Sequence, residues 1–130
     1  MSRLLAMLLC FAMPWAQAES LRSEQLSRDL QRIARESSVG TPRAINADLL
    51  DRGFSVEGHE LINHLGVQPR HAEEMRRNPE AVREQLSQSV CNNAGFKRLL
   101  DQGATLRYQF TEYPNGEPIS SQRFQATDCP

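Results

Sequence analysis

A chain of 130 residues carrying 15 basic and 16 acidic side chains is long enough for one packed domain. Its charge is too evenly balanced, and too scattered, for a phosphate-binding stripe, so no nucleic-acid partner is expected. Lys97 is the only lysine, and no apolar stretch reaches the ~20 residues that a membrane-spanning helix needs.

The first 18 residues have the three parts of a secretory signal. Arg3 supplies the positive start, Leu4 to Met13 the apolar run, and Ala16-Gln17-Ala18 a small-x-small cleavage site. Residues 1–18 are therefore expected to be removed, leaving residues 19–130 as a single exported domain in the periplasm or outside the cell. Cys10 sits inside the apolar run behind the bulky Leu9, a poor setting for lipid attachment. No membrane anchor is expected after cleavage.

Along the exported part, Leu26, Leu30 and Ile33 recur at helical spacing and predict an amphipathic helix from Ser20 to Ser37. Gly40, Thr41 and Pro42 end it. Phe54 and Val56 then alternate with polar residues, Glu57-Gly58-His59 forms a turn, and Leu61, Leu65 and Val67 return at even spacing, which is the pattern of a β-hairpin. Leu49 and Leu50 fit either a lead-in strand or a bend. Pro69 opens a helical stretch that Asn78-Pro79 interrupts, with Asn78 placed to cap a second helix carrying Val82, Leu86 and Val90 on one stripe. Asn92 or Asn93 caps a short helix bearing Phe96, Leu99 and Leu100, and Gly103 closes it. Leu106, Tyr108 and Phe110 alternate, Asn115-Gly116 turns, and Ile119 to Ala126 completes a last hairpin. The order α-ββ-αα-ββ predicts an α+β domain: an antiparallel sheet of about four strands with helices packed on one face.

With Cys10 removed, Cys91 and Cys129 remain, an even count for an oxidising compartment. They are too far apart in sequence for the two-residue spacing of a thiol-redox motif, so a structural disulfide is expected.

From Cys91 onward the residues resemble a known family. Cys91-Asn92-Asn93, the run Leu99-Leu100-Asp101-Gln102-Gly103-Ala104-Thr105-Leu106-Arg107-Tyr108 and the closing Asp128-Cys129 are similar to the small exported bacterial proteins grouped as quorum-sensing-regulated virulence factors. Thr41 to Asn46 and the pair Leu61 and Leu65 follow that pattern in outline, whereas Asn63 and Leu65 stand on a strand where the family often carries tyrosines. The resemblance implies an exported α+β domain with a role in virulence, and it brings no catalytic residues.

The chemistry-bearing residues point the same way. His59 and His64 lie five apart on an extended segment, which sends them to opposite faces, and His71 follows Pro69 on another element, so no metal site is expected. Asp48 and Asp51, Glu57 and Glu60, and Glu73 and Glu74 lack the apolar setting of a catalytic acid. No serine stands in a Gly-x-Ser-x-Gly turn, and no glycine-rich phosphate loop occurs. Glu73-Glu74 and Arg76-Arg77 fit pairing along one helix. Tyr108 and Phe110 read as the buried face of the sheet. The expectation is a non-enzymatic domain without catalytic residues or cofactor, acting by binding a protein, with a sheet edge or the helix-free sheet face as its contact surface. A periplasmic immunity protein or chaperone is the alternative, and a small hydrolase with a site assembled from distant residues is a second.

Overall fold

The computed structural model describes residues 15–130, so Arg3, the apolar run and Cys10 lie outside the described residues. Helix α1 (Trp15–Ser37) begins earlier than the expected Ser20, because the alanines and glutamine before it continue the helix without a break. Its buried stripe is Leu26, Leu30 and Ala34. Among the described residues no helix is long and apolar enough to cross a membrane.

Strands β1 (Arg43–Ala44), β2 (Leu49–Glu57) and β3 (Glu60–Val67) follow, with Gly58 at φ 57° in the β2–β3 turn. Leu49 and Leu50 thus open β2. Helices α2 (Pro69–Arg77), α3 (Pro79–Cys91) and α4 (Ala94–Asp101) precede strands β4 (Thr105–Glu112) and β5 (Pro118–Phe124). Strand β5 stops two residues short of the expected Ala126, where a 3-10 turn (Ala126–Asp128) begins. Asn93 caps α4 by accepting the Phe96 N–H at 3.0 Å. Asn78 does not cap α3 with its side chain, which turns back toward the Glu74 carbonyl at 3.5 Å.

The sheet corrects the expected four antiparallel strands. It has five, in the order β1-β2-β3-β4-β5, and β3 pairs with β4 in parallel from Glu60↔Thr105 to Val67↔Glu112. The physical reason is the crossover: α2, α3 and α4 carry the chain back over the sheet to the end where β3 began, so β4 runs in the same direction. The extra strand is the two-residue β1, paired with β2 at Arg43↔Asp51 and Ala44↔Leu50.

A bulge between Asp51 and Phe54 sets which residues of β2 face the helices. Gly53 sits in it at φ 98°, and a Cβ there would lie 3.0 Å from the Thr41 hydroxyl and 3.1 Å from that of Ser38. The Ser38 hydroxyl accepts the Phe54 N–H at 2.8 Å and so ties the end of α1 to the bulge.

One face of the sheet carries the core. Leu26, Leu30, Leu61, Val90, Leu99, Leu106 and Phe124 form one cluster beneath α1, α3 and α4. Leu65, Val67, Ala72, Met75 and Phe110 form another beneath α2, and Leu86 and Tyr108 pack against both. A disulfide joins Cys91 at the end of α3 to Cys129, with Cα atoms 5.4 Å apart across 38 residues.

Candidate binding groove

Where the two clusters meet, the helices do not close over the sheet. Asn63 and Leu65 of β3 and Tyr108 and Phe110 of β4 are on the floor of a groove of about 250 Å³. His71 and Met75 come from α2, Val82, Gln85 and Leu86 from α3, and Ile45 and Leu49 from the β1–β2 side. A cavity of ~150 Å³ already holds a benzene ring, so this one has room for more than one apolar side chain. Ile45 stands at its rim with 55% of its surface exposed. Phe110 is buried as the alternation requires, whereas Tyr108 is only partly buried and faces the groove; burial pushes its phenol above the ordinary value.

Asn63 on the floor belongs to a polar arrangement with β2. Asp51 is 7% exposed, and its Oδ1 accepts the Gly53 N–H at 2.9 Å and the Asn63 amide at 3.2 Å. Asn63 donates as well to the Gly53 carbonyl at 3.3 Å. Arg43 stands 3.8 Å from the second Asp51 oxygen, leaving the buried carboxylate hydrogen-bonded and facing a cation.

The helix-free face is of another character. Arg107 reaches Glu57 and Glu60 at 3.5 Å each, and Arg123 bonds Glu60. Ser55 Oγ lies 2.6 Å from His64 Nε2. Burial, then the charges of Arg107 and Arg52, hold His64 below its ordinary value against an opposing pull from Glu57. This serine–histidine pair lacks the third group that orients a catalytic base: among the described residues no carboxylate bonds the imidazole. Because folding lowers the histidine pKa, the unfolded chain takes up the proton first. The His64 contribution to stability is therefore complete above pH ~6.5 and is lost as pH falls through the folded-state value. Thermal melts between pH 7.5 and 5 should show this loss, and His64→Gln should flatten the dependence; an unchanged slope would contradict the assignment.

The β5 edge is not bare either. On β5, Arg76 donates to the Pro118 carbonyl at 3.3 Å and Arg83 to the Arg123 carbonyl at 3.1 Å, so side chains occupy part of the outer hydrogen-bonding row. The apolar concavity lies on the helical side, away from the edge and the open face named from the sequence. The three histidines are separate: His59 bonds Ser23 of α1, His64 bonds Ser55, and His71 lies 3.5 Å from Glu74. Among the described residues no three His, Cys, Asp or Glu side chains gather as a metal site requires.

Comparison with known proteins agrees with the resemblance carried by the C-terminal half. A family model described as "Putative quorum-sensing-regulated virulence factor" matches residues 19–130. Among solved structures, a "putative secreted protein" of Pseudomonas aeruginosa is 55% identical with a TM-score of 0.82, over 85% of this chain and 97% of that one. The pilotin of the Vibrio vulnificus type 2 secretion system is 21% identical with a TM-score of 0.67, over 85% of this chain and 97% of its own. The type II secretion system pilotin of Vibrio cholerae is 17% identical with a TM-score of 0.69, over 86% and 99%. At those identities the pilotins share the fold. No curated protein matches the chain in sequence. With the family pattern extending over residues 19–130, the chain belongs to the quorum-sensing-regulated virulence factor family.

Proposed function

We propose that residues 19–130 form an exported, non-enzymatic domain that binds another protein through the groove between the sheet and helices α2 and α3. The observation that carries this reading is the groove itself: a mostly apolar lining, left open between two core clusters, with the apolar Ile45 exposed at its mouth. An isolated surface leucine or isoleucine is ordinary, but a concave apolar site lined by several elements is the usual form of a docking site.

Export is supported by the signal pattern of residues 1–18, by the family match beginning at Glu19, and by the secreted description of the P. aeruginosa neighbour. The pilotin neighbours belong to secretion systems, which supports a partner within the envelope or on the export route. The open face gives a hydrolase little to work with: Ser55 and His64 are paired, but no acid orients the imidazole.

The test is copurification from the native type of host, with periplasm and medium taken separately. Wild-type protein should retain one stoichiometric partner. Ile45→Asp should lose at least about tenfold of that affinity by placing a charge at an apolar mouth, while Arg123→Glu on the open face should keep it. If Ile45→Asp melts like the wild type and keeps the partner, the groove is not the binding surface.

A further inference from the structure

The open face of the sheet gathers charge that the fold leaves poorly matched. Along β3 it presents Glu60, Ile62, His64 and Gly66, which alternate with Leu61, Leu65 and Val67 of the core. Arg107 stands in register with Ile62. Its side chain is 14% exposed, and its contacts with Glu57 and Glu60 are 3.5 Å, longer than the ~2.7–2.9 Å of a charge-assisted hydrogen bond. Its Nε is the one buried side-chain nitrogen or oxygen without a partner among the described residues. Glu60 is bonded to Arg123 instead. Arg52 crosses over Gly66, its Cδ 3.4 Å from where a Cβ would stand. It is exposed and makes no ion pair among the described residues. Ile62 and Gly66 lie to either side of His64 on the same face, so the two arginines flank the imidazole and both charges act on it.

A guanidinium without full hydrogen bonding is costly, and oxyanions are its best acceptors. The charges around His64 are Arg52 and Glu57 of β2, Glu60 of β3 and Arg107 of β4, with Arg123 of β5 beyond Glu60. Cations exceed anions by one, and a protonated His64 makes the excess two. We infer that the open face binds a doubly charged tetrahedral oxyanion, free or carried as a phosphate monoester, over His64 between Arg52 and Arg107. Arg107 turns its terminal nitrogens from the exposed Glu57 to the ligand, and Arg52 closes over it from the Gly66 end. Ser55 Oγ holds His64 by Nε2 at 2.6 Å, which leaves Nδ1 for the ligand. A carboxylate, with one charge, neutralises only half the excess. Binding tightens as pH falls, because the dianion favours the protonated imidazole. The site lies on the other side of the sheet from the groove and does not depend on it.

The test follows the His64 ring resonances by NMR as sodium sulfate is added at about pH 5.5 and 7.5, with ionic strength held constant by sodium chloride. The wild type should bind saturably and about tenfold tighter at the lower pH, and sulfate should raise the pH at which His64 titrates. Arg52→Gln, at an exposed position, should weaken binding about tenfold and leave the melting temperature unchanged. His64→Gln, followed through the Gln109 amide, should bind without pH dependence. At the higher pH, glucose 6-phosphate binding more tightly than sulfate would place the anion on an organic ligand, whereas sulfate binding as tightly would mean the free ion. Shifts of equal size in sodium formate, or shifts that Arg52→Gln leaves intact, would mean general screening and overturn the site.

Discussion

Replacing both Cys91 and Cys129 with serine is expected to lower the stability of the domain by about 4 kcal/mol. The bridge closes a loop across 38 residues, and the loss of loop-closure entropy from the unfolded chain is of that size. The loop spans α4, β4 and β5, so without the bridge the carboxyl end is held to the helical layer by side chains alone. The most direct of these is Arg83 of α3, which donates to Gln122 at 3.0 Å and to Asp128 at 3.4 Å. Such contacts are partly exposed and contribute little compared with a covalent link. For a domain of this length the melting temperature should fall by about 15 °C. Each single serine variant should lose nearly as much as the double variant, since either one opens the same loop. A double variant that melts with the wild type under oxidising conditions would show that the bridge does not support the fold.

Phe124→Ala should cost a similar amount, about 4 kcal/mol, by a different mechanism. Phe124 is fully buried at the end of β5, where it faces Leu106 across the ladder. Tyr108 meets its ring edge-on with centroids 6.1 Å apart, and the Arg83 guanidinium lies over it at 4.5 Å. Truncation leaves a cavity in the first core cluster and takes the aromatic face from Arg83, whose remaining bonds go to Gln122, Asp128 and the Arg123 carbonyl. Chemical denaturation should show a lower midpoint with an unchanged slope. An effect below about 1 kcal/mol would mean that the site collapses around the smaller side chain and that the ring is not central to the core.

Local signals account for much of the architecture. Phe54, Val56, Leu61, Leu65 and Val67 announce a hairpin because they pack on the helical face at period two, and Gly58 marks its turn. Pro79 marks the restart of the helical segment, although the capping expected of the Asn78 side chain is not made. The direction of β4 is a different kind of fact. Nothing within Thr105–Glu112 records whether the neighbour is parallel; that depends on where three helices return the chain. Strand β1 is two exposed residues long, too short for any periodicity to appear. The bulge hides in Asp51 to Phe54, where the only hint is a glycine inside a strand.

The groove was less legible still. Its lining comes from β2, β3, α2, α3, β4 and the β1–β2 loop, which no local pattern in the sequence brings together. Tyr108 has the same alternation as the buried Phe110, and only the gap between α2, α3 and the sheet distinguishes them. One signal was present: Asn63 is a polar residue at a core-facing position between Leu61 and Leu65. A buried asparagine needs partners, and its partner Asp51 lies twelve residues back beyond a bulge that the sequence conceals.

The measurement that bears most directly on the central claim is site-specific photo-crosslinking in living cells, with the probe placed at Ile45 on the groove rim and, separately, at Gln109 on the open face. A protein that binds its partner in the groove should give one adduct from Ile45 and none from Gln109. Adducts from Gln109 alone, or from neither position, would contradict the account and move the binding surface elsewhere on the molecule.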